Sequence, residues 1–200
     1  MGAQHDIPRG KSRQQILDAA LKLFGTKGYH SSSVDTIAGN AGVSKGLVYN
    51  YFSSKEDILE AVIFEKMKEI EESFRTGIPA KNPGEMLRRF IETGLEIARS
   101  EPEYWRFYWS MILHPALPKT IKNKVMASYG AFIGQFEMLL RMNGVEKPEL
   151  EARILVPMLD AINIMHVFAP DYYPFEEVKK HLIGKYSANS PEQSEEGDGQ

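Results

Sequence analysis

Apolar positions along this chain recur at spacings of three and four, and the alternation that builds strands is almost absent. The pattern predicts an all-α protein cut into helix-sized pieces by proline and glycine. A first helix is expected from an N-cap at Ser12 to about Lys27, with Ile16, Leu17, Ala20, Leu21 and Phe24 on one face. A second follows the triple serine 31–33, carries Val34, Ile37, Ala38 and Ala41 at helical spacing, and stops at Gly42. A short third runs from Ser44 to about Tyr51. A fourth runs from Ser53 or Ser54 to about Arg75, and Ser54 with Asp57 has the form of a capping box. Residues 77–84, GIPAKNPG, read as a linker. Helices are expected after it at about 84–100, 102–114, 118–143, 148–169 and 174–187, with a kink or break at Pro157. Gly130 and Gly134 offer a close approach to another helix. The segment from about residue 188 to 200 reads as a disordered acidic tail.

Composition narrows the picture. The chain has 200 residues, 42% of them hydrophobic, enough for a substantial core, and no cysteine, which excludes disulfides and thiolate metal sites. The first fifteen residues are polar and no apolar run approaches a membrane span, so a cytoplasmic protein with no membrane partner is expected. Net charge is −3 but unevenly spread: residues 1–55 hold seven Lys/Arg and three Asp/Glu, whereas residues 187–200 hold four acids and no base. A basic N-terminal quarter on an acidic protein suits a phosphate-facing end. No glycine-rich phosphate loop, nucleophile elbow or His-x-x-x-His helix occurs, and the five histidines are scattered. The expectation is therefore a protein that is not an enzyme and needs no cofactor or metal.

The second and third helices form a helix-turn-helix candidate. Ala38 is small where two helices cross, Gly42 supplies a permissive turn, and Val43 and Val48 can lock the second helix against the first. Such a unit lays its second helix in a DNA major groove. Beyond this, residues 16–59 resemble the DNA-binding domain of the TetR family of bacterial transcriptional repressors. The likeness rests on Ala19-Ala20…Leu23-Phe24, Gly28-Tyr29, Val34 with Ile37-Ala38, Ala41-Gly42-Val43-Ser44, Leu47-Val48-Tyr49, Tyr51-Phe52 and Lys55-Glu56. It implies a basic arm at 1–11, a DNA-binding domain at 12–53 and a helical ligand-binding and dimerisation domain at 54–187.

The resemblance also implies roles on DNA. Ser33 and Ser44 cap their helices and can touch phosphate. Lys45 and Gly46 open the recognition helix, where Lys45 either donates to guanine or faces phosphate or solvent, and Gly46 permits close approach to the bases. Tyr49 is expected on phosphate. Asn50 faces bases or the sugar-phosphate edge, Tyr51 bridges backbone contact and packing, and Lys55 binds phosphate. Asp35 is the odd member, an acid that either points away from phosphate or selects a base. Arg9, Lys11 and Arg13 are read as a minor-groove arm or as a mobile basic tail.

One recognition helix reads few base pairs, so a homodimer on a palindromic operator is expected. The family pattern implies that helices 148–169 and 174–187 form the dimer interface. It also implies a small, largely apolar effector bound within the C-terminal helices and releasing a repressor from its operator. Candidate ligand residues are Tyr104, Trp105, Tyr108, Trp109 and His114, with Asp160, Asn163 and His166 on one face of helix 148–169. The aromatic residues alternatively build core, and the three polar ones alternatively form a network across the dimer.

Overall fold

A computed structural model of the chain describes residues 9–76 and 82–187. Among these are nine α-helices and no strand: α1 (Arg9–Lys27), α2 (Val34–Ala41), α3 (Lys45–Tyr51), α4 (Lys55–Thr76), α5 (Pro83–Ser100), α6 (Pro102–Ile112), α7 (Lys119–Met142), α8 (Pro148–Phe168) and α9 (Phe175–Ser187). The protein is all-α, as its periodicity predicts. The tail beyond Ser187 and residues 1–8 lie outside the described residues.

The chain divides into two compact units, residues 9–69 with 106–118, and residues 70–105 with 119–187. The division falls inside α4 and α6. Ile58, Leu59, Val62 and Ile63, on the first half of α4, are buried within the first unit, so this stretch belongs to the core below the helix-turn-helix.

Two local expectations are corrected in the first unit. Ser12 is not the cap of α1, because helix already starts at Arg9 and Ser12 is buried inside it. Lys11 and Arg13 are consequently helical, not an extended arm. Arg13 Nη1 donates to Glu65 Oε2 at 2.6 Å, and its guanidinium lies 5.2 Å from the Phe52 ring centroid. That pairing, above all its hydrogen bond, raises the Arg13 pKa.

In the second unit α8 packs against α7 and α5, and α9 against α5. Its core joins Leu87, Ile91 and Leu95 of α5 to Leu139 and Leu140 of α7 and Leu155 and Leu159 of α8. Phe74, Phe90, Phe132 and Phe136 form an aromatic cluster, with Phe74 and Phe90 centroids 4.4 Å apart and Phe90 and Phe136 4.6 Å apart. Asn82 caps α5 by accepting from Glu85 N, and Pro83 fills the first helical position, where a missing N–H costs nothing. Helix α8 continues through Pro157 without a break. Pro157 and Arg153 both face solvent, so the carbonyl deprived of its i+4 donor lies on the wet side of the helix. Among the described residues nothing beyond α7 itself comes within 4 Å of a Cβ built on Gly130 or Gly134, so no described helix uses the approach they offer.

Candidate nucleic-acid interface

The turn between α2 and α3 is made by local chemistry. Ser33 Oγ accepts from Thr36 N at 3.1 Å and Ser44 Oγ accepts from Leu47 N at 3.2 Å, so both serines are N-caps as expected. Gly42 closes α2 at φ 67°, a left-handed conformation that costs other residues strain. Its N–H donates to Gly39 O and the next N–H, of Val43, donates to Ala38 O, which reverses the chain within a few residues. Ile37, Ala38 and Val48 are buried at the crossing. The apolar side of α3 is thereby spent on α2, and its other side carries Lys45, Gly46, Tyr49 and Asn50 into solvent. Tyr51 is half-buried, its ring 6.4 Å from that of Phe52. Tyr49 is 49% exposed, whereas Phe52 close by is buried.

Two side chains of this face have destinations that spacing did not show. Lys45 Nζ donates to Asp35 Oδ2 at 2.9 Å, tying the first residue of α3 to the first turn of α2. Hydrogen bonding to the carboxylate, and then its charge, raise the Lys45 pKa. Asp35 therefore does not stand alone. Lys55 is the second case. Its Nζ donates to Tyr29 O and Ser32 O, each at 2.9 Å, and lies 4.4 Å from the Tyr29 ring centroid. A third carbonyl, of His30, stands at 3.5 Å. The donors of the ammonium are spent on the loop that delivers Ser33, so Lys55 holds the reading surface in shape. At the same helix start Asp57 N donates to Ser54 Oγ, but the carboxylate returns to Ser53 N, one residue before the cap. Sequence reasoning missed Thr36, whose hydroxyl is 2.8 Å from that of Ser33. The Ser-x-x-Thr spacing, which stacks both on one turn, was the available signal.

Residues 16–62 match the family model "Bacterial regulatory proteins, tetR family". The chain is 27% identical over 161 residues to the HTH-type transcriptional activator FasR of Mycolicibacterium smegmatis, spanning 79% of this chain and 71% of that protein. It is 45% identical over 67 residues to the fatty acid metabolism regulator protein of Bacillus subtilis, 34% of either chain. In fold it superposes on the transcriptional regulator FadR from Bacillus subtilis, solved in complex with stearoyl-CoA, with a TM-score of 0.71 and 20% identity, covering 88% of this chain and 98% of that one. Over residues 16–62 the chain carries a TetR-family DNA-binding domain. It is a DNA-binding transcriptional regulator, not an enzyme.

The candidate ligand residues do not form one group. Tyr108, Trp109 and His114 belong to the first unit, and Tyr104 and Trp105 to the second. Tyr104 and Tyr108 are buried, and Trp105 Nε1 donates to Ile97 O at 3.0 Å. His114 is corrected as a cavity residue: it is exposed, its Nδ1 accepts from Ala116 N, and its ring is 5.4 Å from that of His30. It caps a turn. Asp160, Asn163 and His166 also diverge. A step of three residues rotates each about 60° from the last, so they fan toward α7, α5 and the start of α9. Asp160 Oδ2 accepts from Tyr129 Oη at 2.9 Å. Burial pushes its carboxyl up to about 6, against the opposing pull of that hydrogen bond. Asn163 Nδ2 donates to Gly94 O at 2.6 Å, and the His166 ring lies 4.5 Å from that of Phe175, tilted by 43°. Asn163 Oδ1 and His166 Nδ1 are buried without a hydrogen-bond partner among the described residues.

The outer face of α8 is apolar. Ile154, Pro157, Ala161, Ile164, Met165 and Phe168 are all exposed along one stripe, Phe168 at 84%. Beside it α9 exposes Glu177, Lys180, His181 and Gly184. Among the described residues no helix is long and apolar enough to cross a membrane.

Proposed function

We propose that the protein is a cytoplasmic homodimeric repressor that leaves a palindromic operator when a fatty-acyl ligand binds within its second unit. The observation that carries the ligand reading is the pair of buried, unpartnered polar atoms, Asn163 Oδ1 and His166 Nδ1, one turn apart on α8. A buried polar group without a partner costs on the order of 1–3 kcal/mol, so a ligand whose polar end meets both gains what the empty site loses. Relatives named for fatty acid metabolism, and a related fold holding stearoyl-CoA, point to an acyl chain. The exposed stripe on α8 supports the dimer, because a face of this kind is stabilised by burial against a second copy. Helix α4 contributes residues to both units and is the element through which a ligand bound to one would bias the other.

The test is operator release. Stearoyl-CoA, and not coenzyme A alone, is expected to weaken duplex binding, and Asn163→Leu is expected to keep DNA binding while losing the response. A protein whose operator affinity is the same with and without every acyl-CoA length tried would overturn the effector reading. The FasR likeness favours activation as a second reading. A promoter reporter separates the two: deletion of the regulator raises expression under repression and lowers it under activation.

A further inference from the structure

We propose that Asp35 and Lys45 act as one reading unit for a G·C base pair in a fixed orientation. The inference rests on this face of the helix-turn-helix meeting the major groove. Both residues are exposed, one in the first turn of α2 and one at the start of α3, with Nζ and Oδ2 2.9 Å apart. The major-groove edge of a G·C pair presents the guanine O6 acceptor and the cytosine N4 donor. Those two atoms are hydrogen-bonded to each other and so lie about 2.9 Å apart. An ammonium and a carboxylate at the same separation are their complement: Lys45 donates to O6, with N7 beside it as a second acceptor, and Asp35 accepts from N4.

Competing pairs fit less well. An A·T pair also offers a donor, N6, and an acceptor, O4. There the carboxylate would sit beside the adenine N7 acceptor and the ammonium beside the thymine methyl group. A reversed pair puts each charge against its like. A carboxylate on this face has a further consequence. It repels phosphate and neutralises the nearest lysine, lowering affinity for arbitrary duplex while leaving the matched site intact. An acid whose sole work was to stabilise the start of α2 would act on helix stability and leave base preference untouched.

The experiment is a selection from randomised duplexes at physiological salt with the full chain and with Asp35→Ala, Asp35→Asn and Lys45→Met. The unaltered protein is expected to select a two-fold symmetric motif with G·C at one pair of related positions. Asp35→Ala and Lys45→Met are each expected to reduce that preference, at that pair alone, by about fivefold or more. Asp35→Asn is expected to shift it toward adenine, with which an amide pairs through N6 and N7. Asp35→Ala should bind unselected duplex at least as tightly as the unaltered chain, which also reports a folded domain. If Asp35→Ala raises affinity for all sequences and leaves the selected motif unchanged, or if the two variants alter different base pairs, the inference is overturned while the DNA-binding reading stands. An unaltered protein that selects no motif overturns both.

Discussion

Replacing Lys55 separates two roles for one lysine, and the structure sets the size of the effect. Lys55→Met keeps the apolar stem and removes the ammonium. Two well-formed bonds are lost, to Tyr29 O and Ser32 O, along with the cation–π contact to Tyr29. A hydrogen bond to a charged group contributes about 1.5–3 kcal/mol, so the lower figure for each bond sums to about 3 kcal/mol. The site is half-buried and water can reach part of the loop, which reduces the expected cost to about 2 kcal/mol. The 3.5 Å approach to His30 O is too long to add much. Denaturant unfolding followed by far-ultraviolet circular dichroism measures this loss. Duplex binding across a salt series supplies the second readout. A phosphate contact contributes about 0.9 to the slope of log K against log salt, so a symmetric dimer using Lys55 on DNA would lose about 1.8. The expected result is lower stability with the slope unchanged for the fraction that remains folded. Unchanged stability with a shallower slope would refute the structural role and restore the phosphate contact.

Three other outcomes follow from the same geometry. Asp160 has a folded pKa raised above its unfolded value, so its contribution is full below about pH 4 and is lost as pH rises through about 6, where the unfolded state has already released its proton. Asp160→Asn should therefore match the parent near pH 4 and exceed it at neutral pH by on the order of 2 kcal/mol in urea unfolding, and an equal difference at both pH values would contradict this. Phe168→Glu puts a charge on the exposed apolar stripe of α8 and should yield monomers in micromolar sedimentation with the helical circular dichroism intact; a persisting dimer would move the interface elsewhere. Ser44→Ala removes the cap of α3 and should cost about 1 kcal/mol of stability and weaken duplex binding, whereas Ser44→Asp should recover the stability but not the binding, because an acid repels phosphate.

Much of this molecule is written in local pattern. Helix limits were legible to within a few residues because periodicity, serine caps, Gly42 and the prolines act over one or two turns. The inward positions Val48 and Phe52 and the outward ones Lys45, Tyr49 and Asn50 follow from the same 3.6-residue period once the turn is located. The start of α1 was misplaced because Ser12 has the composition of a cap, while its burial depends on packing that no neighbouring residue announces.

What the sequence by itself determined was the set of helices, the helix-turn-helix and the face it turns outward. Only the tertiary structure decided where long or polar side chains end. Lys55 reaches carbonyls more than twenty residues earlier in the chain, Asp35 meets a lysine ten residues on, and Asp160, Asn163 and His166 separate onto three neighbouring elements. The reason is physical. Backbone hydrogen bonds and apolar spacing are local, whereas the partner of a charge or an amide is whichever group the packing of distant segments brings within about 3 Å.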